Sequence, residues 1–207
     1  MKTHPGQQYE NLMVTIRQRF DVIEVLRPVD MDVFSKAETV AFHGRKIIEG
    51  IAFACLVAID NGLKHVPKDA KGQWNAEKIL KKFSAKNIQV FPSPSVIRKA
   101  TEDECAEHDV NLVVEGIPDH RLSHDDLIKI YKRLHKWLHE INPYTGQNRE
   151  QFINQNETTL WQDLAKLHNL VERHFISIKG TGFFCTLRDS QDGRTKVMML
   201  TKETKLS

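Results

Sequence analysis

Between Gln7 and Leu26 the apolar side chains Tyr9, Leu12, Met13, Ile16, Phe20, Ile23 and Leu26 recur at intervals of three and four, the spacing of one helical face. Pro28 marks the end of that helix. After Asp30, a candidate N-cap, the stripe widens, with apolar residues at 33, 34, 37, 40, 41, 47, 48, 51, 52, 55, 58 and 59 before Asn61-Gly62. A helix apolar over so much of its circumference belongs at the centre of a bundle, and Gly62 supplies a left-handed stop. Ala41, Gly44, Ala52 and Ala58 on the stripe leave room for another helix to come close.

Residues 65–74, rich in Lys, Gly and Pro, predict a loop, after which Asn75 caps a short helix through Phe83. Pro92, Pro94 and the acidic run Glu102–Asp109 then interrupt regular structure, so 86–122 reads as an irregular insertion holding one strand, Asn111–Glu115. Ser123 and Asp126 form a capping box with the shorter acid, opening the cleanest amphipathic stripe: Leu127, Ile130, Tyr131, Leu134, Trp137, Leu138 and Ile141, stopped by Asn142-Pro143. Leu160–Phe175 predicts a further helix. Phe183–Leu187 and Lys196–Leu200 flank Asp189–Arg194, in which Asp192-Gly193 is the turn signal of a hairpin. The expected fold class is mainly α: one domain over 1–207, with a helical bundle at 7–177, the irregular insertion 86–122 and a small C-terminal β-hairpin at 182–201. A lone ribbon is marginal in water, so the hairpin must pack on the bundle, add to the strand at 111–115 or pair with another chain. Packing within the same subunit is the expectation.

The 207 residues are 40% hydrophobic, enough for one well-formed core or two small ones, which excludes wholesale disorder. Thirty basic against 27 acidic side chains leave a formal charge of +3, far from the dense field of a nucleic-acid coat. The longest apolar run, Ile51–Ile59, is about half the length a bilayer needs, and the first residues have no signal-peptide core behind them. A cytoplasmic protein without membrane association is expected. Cys55, Cys105 and Cys185 are odd in number and far apart, fitting neither a disulfide framework nor a metal knuckle. The chain has no Gly-rich phosphate loop, Gly-x-Ser-x-Gly elbow, His-Glu-x-x-His motif or dinucleotide fingerprint, so no cofactor is expected.

Histidine is the unusual count, ten in all and concentrated between 120 and 139. At about 100° per residue, His124, His135 and His139 fall within about 60° of one another on a helix, with Tyr131 beside them. His135 and His139, four apart, could share a metal ion with Asp125, Asp126 or Glu140, but the spacing alone does not make a metal motif, and no metal is expected. In the bland reading the rings cover the helix's apolar edge. A third reading pairs Arg133 with His139 for RNA cleavage, His moving the proton and Arg stabilising phosphate charge. On a straight helix those two side chains stand about 120° and about 9 Å apart, so they converge only if the helix is irregular near its end or a second subunit supplies partners. Arg45 and Glu49, one turn apart on the most buried helix, suggest an ion pair that orients a neighbouring helix or borders a pocket. Lys129, Lys132 and Lys136 beside Arg133, and Lys78, Lys81, Lys82 and Lys86 on the short helix, could contact phosphates or simply keep their faces solvated. No aromatic residue interleaves with these lysines, which argues against a stacking platform, and Trp74, Trp137 and Trp161 read as core or helix-contact residues.

Gly44-Arg45-Lys46-Ile47-Ile48-Glu49 on the central helix and Arg133-x5-His139 on the later one resemble the HEPN (higher eukaryotes and prokaryotes nucleotide-binding) family, helical bundles that include RNases of toxin and anti-phage systems. The resemblance implies Arg133 and His139 as the catalytic pair; with it, the reading of the helix faces puts Arg45, Glu49, His124, Tyr131 and His135 in support and Lys129, Lys132 and Lys136 against RNA. It also implies an active site between the subunits of a homodimer and a place in a bacterial or phage defence system. The alternative is a non-catalytic regulatory subunit that docks a partner protein through the bundle and hairpin.

Overall fold

The computed structural model describes residues 5–62, 72–86, 90–146, 148–178 and 181–201. Helices α1 (Pro5–Leu26) and α2 (Val33–Gly62) form an antiparallel pair, with Ile16 against Gly50 and Arg19 against His43. The cap of α2 is Asp32 rather than Asp30: its Oδ1 accepts from the Ser35 amide at 2.9 Å. Helix α3 (Ala76–Ala85) starts as expected at Asn75, whose Oδ1 accepts from the Lys78 amide. The stretch 65–71 lies outside the described residues. Trp74, expected in a helix contact, is instead 75% exposed in the turn ahead of that cap.

The segment 86–122 holds more regular structure than its prolines allow one to read. Strand β1 (Ser93–Lys99), helix α4 (Glu102–His108) and strand β2 (Leu112–Gly116) follow one another, then a 3-10 turn at Pro118–His120. The acidic run is a helix because Thr101 and Glu104 make a reciprocal capping box, and Asp109 leaves it in the left-handed conformation at φ 51°. Arg98 reaches across to Glu104 and Glu115, tying α4 and β2 to β1.

Helix α5 (His124–Lys136) opens on the expected Ser123–Asp126 box. It stops earlier than its apolar stripe: the Trp137 amide bonds Leu134 O and the Leu138 amide bonds His135 O, a tightened last turn that places His139 beyond the helix. After a 3-10 turn at Pro143–Thr145, helix α6 (Arg149–Val171) begins well before Leu160 because Asn148 and Gln151 form another capping box in a polar stretch. It ends before Phe175, and Arg173–Ile178 is strand β3. The hairpin forms as expected from β4 (Thr181–Thr186) and β5 (Lys196–Thr201).

All pairings are antiparallel, and the sheet order is β2-β1-β3-β4-β5. The hairpin therefore packs within its own subunit and shares a sheet with the 112–116 strand, with β1 and β3 between them. The fold is mainly α with this one sheet, and α2 lies at its centre, touching α1, α3, α5, α6 and the strands β3 and β4. Its buried Ile47, Ile48, Ile51 and Ile59 meet Tyr9 and Met13 of α1, Leu127, Ile130 and Leu134 of α5, Leu164 and Leu167 of α6, and Phe183 of β4 in one core. Gly44 lies where α2 meets α5 and α6 at close range: a Cβ there would stand 2.7 Å from Leu164 and 2.9 Å from Leu134. The three cysteines are free, two of them buried. Among the described residues no helix is long and apolar enough to cross a membrane.

Candidate functional site

Helix α5 packs on α2 through Leu127, Ile130 and Leu134, which rotates Tyr131 and His135 toward the exposed edge of α2. Three side chains of α2 meet them there. Arg45 Nη2 donates to the Tyr131 hydroxyl, its guanidinium lies 4.5 Å from that ring's centroid, and its Nη1 stands 3.0 Å from His135 Nδ1. The Tyr131 hydroxyl faces Glu49 Oε1 at 3.3 Å, and Lys46 Nζ closes on Glu49 Oε2 at 2.7 Å. Arg45 and Glu49 are thus joined through Tyr131 rather than as the direct ion pair their spacing suggests.

The two imidazoles meet edge to edge. His139, on the turn that follows α5, places its Nε2 3.0 Å from His135 Nε2. An arginine has donors only, so His135 Nδ1 must present a lone pair to Arg45 and carry its proton on Nε2. That proton points at His139 Nε2, which must accept it. One cation on α2 therefore fixes the tautomers of both rings. Burial, then Arg45, then His139 hold the His135 pKa below the usual imidazole range, with Glu77 of α3 opposing them. Glu77 itself is held low, first by its bond to Lys81, and it also pairs with Lys132 at 3.5 Å, which brings α3 to the rim of the site.

Arg133 is not in this cluster. Its Nε and Nη2 donate to the two carboxylate oxygens of Asp163 on α6, both at 2.7 Å, and Asp163 is only 1% exposed. Within the chain, the pair Arg133–His139 does not form: Arg133 fixes α5 against α6, and the arginine that meets the histidines is Arg45. His124 is also elsewhere, about 16 Å along the axis at the first turn of α5. Its ring packs against Phe91 at 4.7 Å and Phe83 at 5.9 Å, and burial lowers its pKa, a backbone bond to Val90 opposing. Three histidines do share a flank, but only two share a site. Lys129 lies 3.8 Å from Asp126, Lys132 faces Glu77, and Lys136 is exposed beside His135.

Glu77 and the exposed Phe42 were not marked by any motif; the Gly44–Glu49 motif and the i, i+4 relation of Arg45 to Glu49 pointed toward this edge of α2. Among the described residues no three His, Cys, Asp or Glu side chains gather as a metal site would require. A separate small cleft of about 220 Å³ opens between β1 and α6 beside His120, Glu172 and Arg173, and the His135–His139 pair lies instead on the open surface. The rings are accessible, with Arg45 against His135, while Lys46 and Lys132 nearby are paired to Glu49 and Glu77.

Comparison of the chain with family models, with curated proteins and with solved structures gave no match. The resemblance to HEPN proteins therefore rests on the residues of Gly44–Glu49 and on the spacing of Arg133 and His139 alone.

Proposed function

We propose that the chain is a HEPN-like, metal-independent endoribonuclease whose working pair is His135 and His139, with Arg45 taking the place that spacing alone gave to Arg133. The observation that carries this reading is the imidazole pair with its tautomers set by Arg45. When RNA displaces the His135 contact, His139 Nε2 offers a free lone pair beside a fixed cation. It takes the proton of a ribose 2′-hydroxyl, the 2′-oxygen attacks the adjacent phosphorus, and the bond from phosphorus to the 5′-oxygen breaks. The same proton returns from His139 to the departing 5′-oxygen, so proton and charge balance without a metal. Arg45 and the nearby Lys46 act on the charge of the phosphorane. A homodimer and a role in bacterial or phage defence belong to the same proposal and rest on the family resemblance.

Purified protein given single-stranded RNA in EDTA should produce 2′,3′-cyclic phosphate and 5′-hydroxyl ends. His139→Ala should slow this by about 100-fold or more while the circular dichroism is unchanged. Intact RNA with wild-type protein, abolition by the chelator, or wild-type rates in His139→Ala would each overturn the reading.

The non-catalytic alternative has one observation of its own: β5 is an edge strand, and its Met198 and Met199 are 47% and 53% exposed. Deleting residues 182–207 does not test it cleanly, because Phe183, Cys185 and Leu187 belong to the core. Met198→Lys with Met199→Glu, at half-exposed positions, should leave the circular dichroism unchanged and release a partner bound at that edge; an unchanged complex excludes the edge as its dock.

A further inference from the structure

Helix α2 is core on most of its circumference, yet it carries Phe42 on the outside, 41% exposed, on the line that continues through Lys46 and Glu49. Fold stability gives no reason for an aromatic ring there. Its surroundings are cationic: Arg19 Cζ of α1 and Lys46 Nζ each lie 5.9 Å from the ring centroid, and the His43 ring meets it edge-on at 5.5 Å. From Phe42 the contacts run without interruption to the histidines, through Lys46 to Glu49, Tyr131, Arg45 and His135. Phe42 and Arg45 are one helical turn apart, about 5–6 Å between Cβ atoms, a span one nucleotide can bridge.

We infer that Phe42 is the stacking platform for a base next to the scissile phosphate, and that Arg19 and Lys46 neutralise the phosphates on either side of it. The ligand class is single-stranded RNA. A π-face flanked by cations is the arrangement that binds unpaired bases without reading their sequence, because every base has a face to stack and every linkage a charge. Three cations, Arg19, Arg45 and Lys46, stand on this surface, with Glu49 paired to Lys46 and the exposed Glu38 one turn before Phe42. The expectation that no aromatic residue interleaves with the basic ones holds for α3 and α5, but α1 and α2 bring such an arrangement together across the α1–α2 packing. A paired strand would not serve, since its bases are already stacked on one another.

This inference rests on the RNA reading of the His135–His139 site, and its test separates the two. A fluorescent single-stranded oligonucleotide with every 2′-hydroxyl methylated cannot be cleaved, so its anisotropy reports binding alone. Phe42→Ala should weaken its affinity about tenfold or more, and Phe42→Trp should retain it. If wild-type protein cleaves RNA and His139→Ala does not, while Phe42→Ala binds the blocked strand as tightly as wild type, the stacking role is wrong and the cleavage reading stands. If wild-type protein neither binds the blocked strand nor cleaves the unblocked one, both fall. A change of sedimentation in Phe42→Ala at unchanged RNA affinity would show the face to be an interface between copies of the chain and would also overturn the inference.

Discussion

His135 does not choose its own protonation state: Arg45 occupies one ring nitrogen and His139 the other. Because burial and Arg45 lower its pKa, it takes up a proton at lower pH in the folded chain than in the unfolded one. Its NMR titration midpoint should lie below the ordinary imidazole value, and Arg45→Ala should move that midpoint upward; a midpoint unmoved by the substitution would remove Arg45 as the controlling cation. A second histidine titrates for structural reasons. His174 is fully buried, its Nδ1 bonds Val171 O at 3.0 Å, and its Nε2 meets the Tyr9 hydroxyl at 2.6 Å. Burial drives its pKa down to about 4, a backbone bond to Val171 opposing. Its folded pKa is below its unfolded one, so the stability held by neutral His174 is full above about pH 6.5 and is lost as pH falls toward 4, about 3 kcal/mol over that window. Denaturant titrations at pH 7 and pH 4.5 should show the loss, and it should shrink in a His174→Gln variant. The helical projection made the neighbourhood of His135, His139 and Tyr131 legible, and the spacing of Arg45 and Glu49 pointed to the same helix edge. Arg133 misled because its partner, Asp163, sits on another helix and leaves no local trace.

The elements differ in how fully local chemistry determines them. Helices α1 and α2 were readable from apolar periodicity, and α3 because periodicity and the Asn75 cap agree; α6 was read short because its first turns are polar and only a capping box announces them. The early close of α5, which puts His139 where it can face His135, is invisible to periodicity, since Trp137 and Leu138 continue the apolar stripe. Crossings between elements make a prediction about glycines. At Gly182 of β4 an added Cβ would run into the Phe175 ring and come within 2.9 Å of the Ile176 carbonyl, a backbone group that cannot swing aside. At Gly44 the obstacles are Leu side-chain ends, and alanine gains helix propensity of about 1 kcal/mol in return. Gly182→Ala should therefore cost about 2 kcal/mol or more and Gly44→Ala clearly less; equal melting temperatures for the two variants would contradict this packing. The α5–α6 tie gives another. Arg133→Ala strands the buried Asp163 carboxylate and should cost about 2 kcal/mol, whereas Arg133→Leu with Asp163→Leu should recover much of it. A double-mutant cycle in urea measures the difference.

Across the whole molecule, α2 organises both the core and the site. It is apolar toward four helices and two strands, and its exposed line includes Glu38, Phe42, Arg45, Lys46 and Glu49. The mainly α class was legible because it follows from local periodicity. The five-stranded sheet was not, because it joins segments far apart in sequence: Ser93 and Pro94 pair with Phe175 and His174, and Arg173 pairs with Thr186. Only the local pieces, the 192–193 turn and the strand at 112–116, left a signal that short-range reading could detect. A single-chain site on α2 and α5 also changes what assembly has to supply: Arg45 reaches the histidines within one subunit, so on the proposed reading the site needs no second copy for its arginine.

On the proposed reading Arg45 is the operative arginine, and Arg133 serves the fold through Asp163. Single-turnover cleavage of one RNA by wild type, Arg45→Ala and Arg133→Ala tests it most directly, at a temperature where circular dichroism shows all three folded. Arg45→Ala should lose about 100-fold, and Arg133→Ala should stay within about threefold of wild type despite its lower melting temperature. The reverse order, with Arg133→Ala inactive and Arg45→Ala near wild type, would contradict it.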